Sequence, residues 1–280
     1  MRTLLIATAS ILLAATTSWA QQRPLVTEDP ETIGAGRLLL EGGVEYSRGA
    51  QYPVSGLTGN LLRVPLFGIS IGVSSIAEIQ IDQASFSRLD ITSRRPGPLT
   101  DLMTATGSST TDTDDLVIGA KIRIAPEATT RPAFGFRFAT KLPNANNESG
   151  LGLDTTDFFA SVLAGKTAQS VRIVGNIGFA ILGDPTNGNR QNDVVTYGVS
   201  FARAITNAAE VVGEVNGRAN TRSAGPLPGT ESRSIIRMGL RYTTGGWRAD
   251  GAVLIGATKN DPDIGVTAGF TYAFTAFQVP

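Results

Sequence analysis

The stretch "GVTAGFTYAF" (Gly265–Phe274) alternates two kinds of side chain without a break. Val266, Ala268, Phe270, Tyr272 and Phe274 form one set; Thr267, Gly269, Thr271 and Ala273 form the other. Successive side chains of a β-strand point to opposite faces, so a period of two marks a half-buried strand. The apolar set becomes aromatic towards its end, while the opposite set is small or polar. Alternation alone permits two folds. A soluble β-sandwich packs the apolar face into its core and shows the polar face to water. A barrel in lipid reverses this, with apolar residues outside and polar residues lining an enclosed lumen.

Working outward from that strand, the same alternation recurs at 38–46, 62–66, 69–81, 116–124, 134–138, 158–162, 171–181, 195–201, 209–215, 236–242 and 247–255. With the closing strand this makes twelve segments. Most are long for soluble strands but suit the roughly 9–11 residues that cross a bilayer at a tilt. No segment shows sustained helical spacing. The connections take turns in length: a loop near 49–58, a tight turn at Phe67-Gly68, a long stretch at 83–113, then the short "PEATTRP". After these come "PNANNESGLGL", "KTAQ", "GDPTNGNRQN", "TN", "NTRSAGPLPGTES", "TTGG" and "TKNDPD". Short periplasmic turns alternating with longer extracellular loops, and an even strand number, characterise outer-membrane barrels.

Opposite the apolar set lie Glu41, Glu45, Arg63, Glu78, Gln80, Asp82, Lys121, Arg123, Arg137, Lys141 and Asp157. The same face continues through Arg172, Asn176, Glu210, Glu214, Asn216, Arg218, Arg237, Arg241, Arg248 and Asp250. Two features assign this face to a lumen. One is the alternation of loop lengths. The other is the sorting of aromatics towards strand ends: Phe67, Phe134, Phe201, Tyr242, Trp247 and Phe274 at one end, Tyr46, Phe158, Phe179 and Tyr197 near the other. Membrane interfaces select such belts because the rings sit at headgroup level. A one-residue slip of the tenth strand would turn Arg237 and Arg241 towards lipid, at roughly 2–4 kcal/mol for each midplane charge.

The expected architecture is therefore all-β, a twelve-stranded antiparallel transmembrane barrel of outer-membrane type over 37–274. Residues 21–36 are expected as a periplasmic segment or plug, and 275–280 as a tail. "MRTLLIATASILLAATTSWA" (Met1–Ala20) has a basic Arg2, a short apolar run and Ser18-Trp19-Ala20, the pattern of a cleaved secretory signal. Bacterial outer membrane is the expected location, with outer-membrane lipid and the barrel-assembly machinery as partners.

Composition narrows the chemistry. The chain carries 24 basic and 24 acidic residues with no basic block, which argues against a nucleic-acid partner. It has neither cysteine nor histidine, which removes disulfides, Ser-His and Cys-His catalysis and histidine-ligated metals. Ser-Lys chemistry at Lys121 or Lys141 is conceivable, but a lumenal lysine paired with a carboxylate is the plainer reading. "TDTDD" (Thr111–Asp115) could offer hard oxygens to Ca²⁺ but lacks the ordered ligand spacing of a known loop, so a solvated acidic loop is favoured. No enzyme activity, cofactor or metal is expected.

Twelve strands lie between the filled interiors of eight-stranded barrels and the water channels of sixteen-stranded ones. Acids and bases on the inner face are nearly balanced, giving no ion filter. Phe159, Leu163, Val174, Val212, Ile235 and Leu254 also point inward, so the lining is mixed. Two functions fit: a path for a small solute, or a non-transporting scaffold whose lumen is closed by ion pairs or by the segment 21–36.

Thr267, Gly269, Tyr272 and Phe274 resemble the assembly signal that ends outer-membrane barrels: polar, x, Gly, x, x, aromatic, x, aromatic. The chain as a whole resembles the MetA-pathway of phenol degradation family. The resemblance rests on "RPLVTEDPETIGAGRLLLEGGVEY" (Arg23–Tyr46), "DTDDLVIGAKIRI" and "FGFRFATKLPNANNESGLGLDTTDFFASVLAGK", and covers nearly all of residues 21–280. It implies an outer-membrane barrel passing small aromatic or apolar compounds.

Overall fold

The structure, a computed structural model, describes residues 23–83 and 85–278. The expected signal at 1–20 lies outside them. Fourteen antiparallel segments make one sheet: β1 (Arg37–Tyr52), β2 (Leu57–Gly72), β3 (Ala77–Asp82), β4 (Phe86–Arg94), β5 (Ser109–Thr113), β6 (Leu116–Ala125) and β7 (Ala133–Leu142). The rest are β8 (Asp157–Ala168), β9 (Val171–Gly183), β10 (Gln191–Ala204), β11 (Ala209–Asn220), β12 (Arg233–Thr244), β13 (Trp247–Gly256) and β14 (Ile264–Thr275). β1 pairs with both β2 and β14, so the sheet closes on itself.

The fourteen segments form twelve staves, because two staves are each interrupted once. Going from Ile69 to Arg63 on β2, the partners run in step from Ile81 on β3 to Ser87 on β4. Likewise Asp82 faces Val117 on β6 and Phe86 faces Thr113 on β5. The register is thus unbroken across the gap. Its cause on β2 is Pro65, which has no N–H to give to a neighbouring strand. At the gap the N–H of Asp114 donates to the carbonyl of Ser85 (2.8 Å), and the hydroxyls of Ser85 and Ser87 donate to the Asp114 carboxylate. Arg63 Nε lies 3.3 Å from the same carboxylate.

Three expectations are corrected here. Phe67-Gly68 is not a turn: β2 runs straight through it, and the turn falls at 73–76. The proline and the glycine beside it suggested a break, but strand pairing on both flanks carries the chain across. Nor is 83–113 a long loop. It contains β4 and β5, whose polar residues hid their alternation, and only 95–108 connects them. The loop near 49–58 likewise shrinks to 53–56. Because the expected segments divide β2 at Phe67-Gly68 and join its second half to β3 as 69–81, the expected number still agrees with the twelve observed.

The apolar face is the exposed one. Ile177, Val199 and Leu240 are 65, 61 and 59% exposed, while inward-pointing Leu163, Val212 and Lys121 are at 0%. Apolar side chains exposed all round a closed sheet belong in acyl chains rather than water. Near the side with the tight turns, Trp247 stacks on Tyr272 at 4.2 Å between ring centroids, and Tyr272 on Phe274 at 5.2 Å. That cluster is an interfacial belt. Phe67 does not sit at a strand end; it lies level with Phe270, both opposite Gly42.

Candidate solute-binding lumen

Residues 23–33 enter the barrel and bind the inward faces of strands all round it. Arg23 reaches Asp250 of β13 (3.4 Å) and Thr267 of β14 (3.2 Å), and its carbonyl accepts from Arg241 of β12 (2.7 Å). The N–H groups of Val26 and Thr27 donate to Glu214 of β11. Asn176 of β9 takes the Glu28 N–H at 2.7 Å and returns a bond to its carbonyl at 2.8 Å. On the far side the N–H of Ile33 donates to Glu78 of β3 at 2.7 Å. An extended segment has unpaired backbone groups, and here acidic and amide side chains of the wall satisfy them.

The charged inner face forms a ladder of pairs. Lys121 is enclosed by Glu78 (3.0 Å) and Glu28 (3.4 Å). Arg137 bridges Glu28 and Asp82, each at 3.1 Å. Arg123 pairs with Glu31, and Arg172 with Asp29 at 2.7 Å. Lys141 sits between Asp115 (2.8 Å) and Asp157 (3.0 Å), Arg63 meets Glu45 at 3.2 Å, and Arg237 meets Glu214 at 2.8 Å. Arg248 approaches Glu210 at 3.8 Å, and Glu41 accepts from Arg23 N–H and Thr271. Every residue expected on the inner face is buried or half-buried. Both candidate lysines are spent in ion pairs.

Glycines of the wall make the room for the segment. At Gly72 any side chain would run into the carbonyl of Gly34, and at Gly198 a Cβ would lie 2.8 Å from the Thr27 hydroxyl. Gly269 of the closing strand faces the Arg23 guanidinium. These glycines serve close approach of a second chain segment, not backbone freedom.

Above and beside the segment the lumen is hollow. Two adjoining cavities of about 610 and 590 Å³ share Val26, Glu28, Leu151, Leu153 and Phe159. The outer one adds Tyr52, Val54, Leu61, Ile235 and Leu254 to its apolar lining. The loops at 95–108 and 143–156 fold over its mouth: Leu99 N–H donates to the Val54 carbonyl (2.9 Å) and Ser55 Oγ to the Gly150 carbonyl (2.7 Å). A small apolar cluster of Ala50, Leu57, Leu61 and Leu89, with Met103 and Leu151 against it, fixes that cover.

The aspartates of Thr111–Asp115 do not form a solvated loop. Asp112 accepts from Asn146 N–H and Ser149, Asp114 from the two serines, and Asp115 from Lys141 and the N–H groups of Asn144 and Ala145. They tie β5 and β6 to the 143–156 loop. Sequence reasoning missed the acids Glu28, Asp29 and Glu31 as lumenal partners, since a segment outside the strands has no periodicity. It also missed Arg233, which continues the inward series of Ile235 and Arg237 three residues before the expected strand start.

No curated protein matches this chain. Among solved structures, the COG4313 outer membrane channel from Pseudomonas putida F1 is similar with a TM-score of 0.61 at 11% identity, over 88% of this chain and 98% of that one. The translocator domain of the autotransporter NalP from Neisseria meningitidis gives a TM-score of 0.51 at 13% identity, over 86% and 89% of the respective chains. These likenesses concern the fold: a barrel of the bacterial outer membrane. The family model described as "MetA-pathway of phenol degradation" matches residues 25–274, which takes in the lumenal segment from Leu25 onward and the strands up to Phe274, and the chain belongs to that family.

Proposed function

We propose that this protein is an outer-membrane channel or uptake transporter for small aromatic or apolar compounds, with residues 21–36 as its plug. The observation that carries this reading is the pair of adjoining lumenal cavities, about 610 and 590 Å³, within the size range of small-molecule sites. Phe159, Leu151, Leu153, Ile235 and Leu254 give a weakly polar solute an apolar surface, while neighbouring charges are neutralised in pairs. Charges paired in this way offer little to a free inorganic ion. Residues 23–33 stand between the cavities and the periplasmic side, so passage requires that segment to shift. No reaction step is part of this reading.

The test is flux of a panel of weakly polar aromatic solutes into lipopolysaccharide-containing liposomes bearing the purified protein. Entry faster than into protein-free vesicles is expected, with a further rise when residues 23–36 are removed. Vesicles inert with both forms would end the transport reading. They would favour the second one, a closed scaffold barrel, which is supported by the bonds from residues 23–33 to β3, β9, β11 and β12.

A further inference from the structure

At the outer end of the lumen, Arg218 of β11 and Arg233 of β12 are direct cross-strand partners, and both line the larger cavity. Like charges placed opposite each other destabilise a sheet. Lys121, Arg123, Arg137, Lys141, Arg172 and Arg237 each meet a carboxylate within 4 Å; here the cations do not. Neither guanidinium makes an ion pair among the described residues. Arg218 donates Nε to the Glu231 carbonyl (2.9 Å) and Nη2 to the Gly229 carbonyl (2.8 Å). Arg233 donates Nη2 to the Gln51 carbonyl (3.0 Å). Each arginine is therefore aimed by backbone oxygens, with Nη1 of Arg218 and both Nε and Nη1 of Arg233 still uncommitted.

The two carboxylates that also line this end, Glu231 and Asp261, make no ion pair with either arginine, although each keeps one buried oxygen (Glu231 Oε2, Asp261 Oδ1) without a hydrogen bond. Glu231 accepts the Gly229 N–H at 3.1 Å. Asp261 Oδ2 accepts from Ser234 N–H, Thr258 N–H and the Thr258 hydroxyl. Next to the arginines the cavity wall is Tyr52, Val54, Leu153, Ile235 and Leu254. A pair of fixed guanidinium groups without a direct carboxylate contact, beside an apolar wall, has the complementarity of an amphiphile with one anionic end.

We propose that Arg218 and Arg233 form a receptor for a carboxylate group, so that the solutes taken by the outer cavity include small aromatic or aliphatic acids in their ionised form. Planar guanidinium groups match a carboxylate's two oxygens in a way a point charge does not. Ionised acids are also the solutes that lipid resists most, so a protein route serves them more than it serves neutral phenols. This inference rests on the solute-binding reading of the cavity.

The test uses the full chain in lipid nanodiscs at neutral pH and follows ¹⁹F signals of two probes, 4-fluorophenylacetate and its neutral analogue 4-fluorophenylacetamide. The acid should bind about ten-fold more tightly than the amide, the scale of one charge-assisted hydrogen bond. R218Q and R233Q each should reduce that preference, and the double variant should abolish it. Glutamine keeps a donor for the backbone carbonyls, and heat-modifiable migration on gels reports that the barrel is intact. Equal affinities in the wild-type protein, or a preference surviving in the double variant, overturn the proposal and leave the cavity reading standing. Binding of neither probe overturns both.

Discussion

Thr27 gives both its backbone N–H and its hydroxyl to the same carboxylate oxygen of Glu214, at 2.8 and 2.7 Å. The same carboxylate takes the Val26 N–H at 2.9 Å and holds Arg237 at 2.8 Å. Glu214→Gln swaps one acceptor oxygen for a donor and leaves Arg237 short of a partner. Bonds to charged groups contribute about 1.5–3 kcal/mol each. The variant should loosen residues 23–33 and raise single-channel conductance in planar bilayers. Conductance equal to wild type would show that this anchor does not hold the segment in place.

The outward side of the wall makes a separate prediction. Val199 on β10 is 61% exposed, well inside the span of its strand. Val199→Arg should lower the unfolding free energy in lipid by roughly 2–4 kcal/mol, measured by denaturant titration. The inward neighbour Ser200, which is buried, should tolerate alanine at a much smaller cost.

Acid should act late at the loop between β9 and β10. Asp184 is buried; burial alone would raise its pKa, but the Thr186 hydroxyl and N–H and the Arg190 guanidinium outweigh that and hold it below the ordinary carboxylate value. A lowered folded pKa contributes stability above the unfolded value and loses it as pH falls through the folded one. Hydrogen exchange at 184–190 should thus stay slow at neutral pH and speed up only below the ordinary carboxylate range. Asp184→Asn should show fast exchange at every pH.

For the assembly signal we propose at Thr267–Phe274, the stacked Phe274 and the exposed Phe277 separate cleanly. Phe274→Ala should slow insertion by the assembly machinery several-fold, on the general scale of lost interfacial aromatics. Phe277→Ala should leave the rate unchanged. An equal effect of both would move the terminal aromatic to Phe277.

How much of this was readable beforehand depended on periodicity. Runs such as Ile236-Met238-Leu240-Tyr242 declare both a strand and its lipid side, because lipid demands apolar side chains without exception along the span. The stave 77–94 did not: past Gln83 it carries Arg88, Asp90 and Thr92 outward. The inner charges were legible as a face, yet their partners were not. Glu28 lies 93 residues from Lys121 and in no strand, so only the folded chain brings them together. The Arg218–Arg233 juxtaposition needed the register of two strands, which local sequence does not contain.

The clasp on Arg23 links the two ends of the described chain. Its partners Asp250, Thr267 and Arg241 lie 227, 244 and 218 residues away, on the last three strands. A chain emerging from its amino end must therefore hold this arginine in waiting until nearly the whole polypeptide has been delivered. Closing the ring and clasping Arg23 become one late event, so a protein missing its last hairpin loses that clasp as well as its seam.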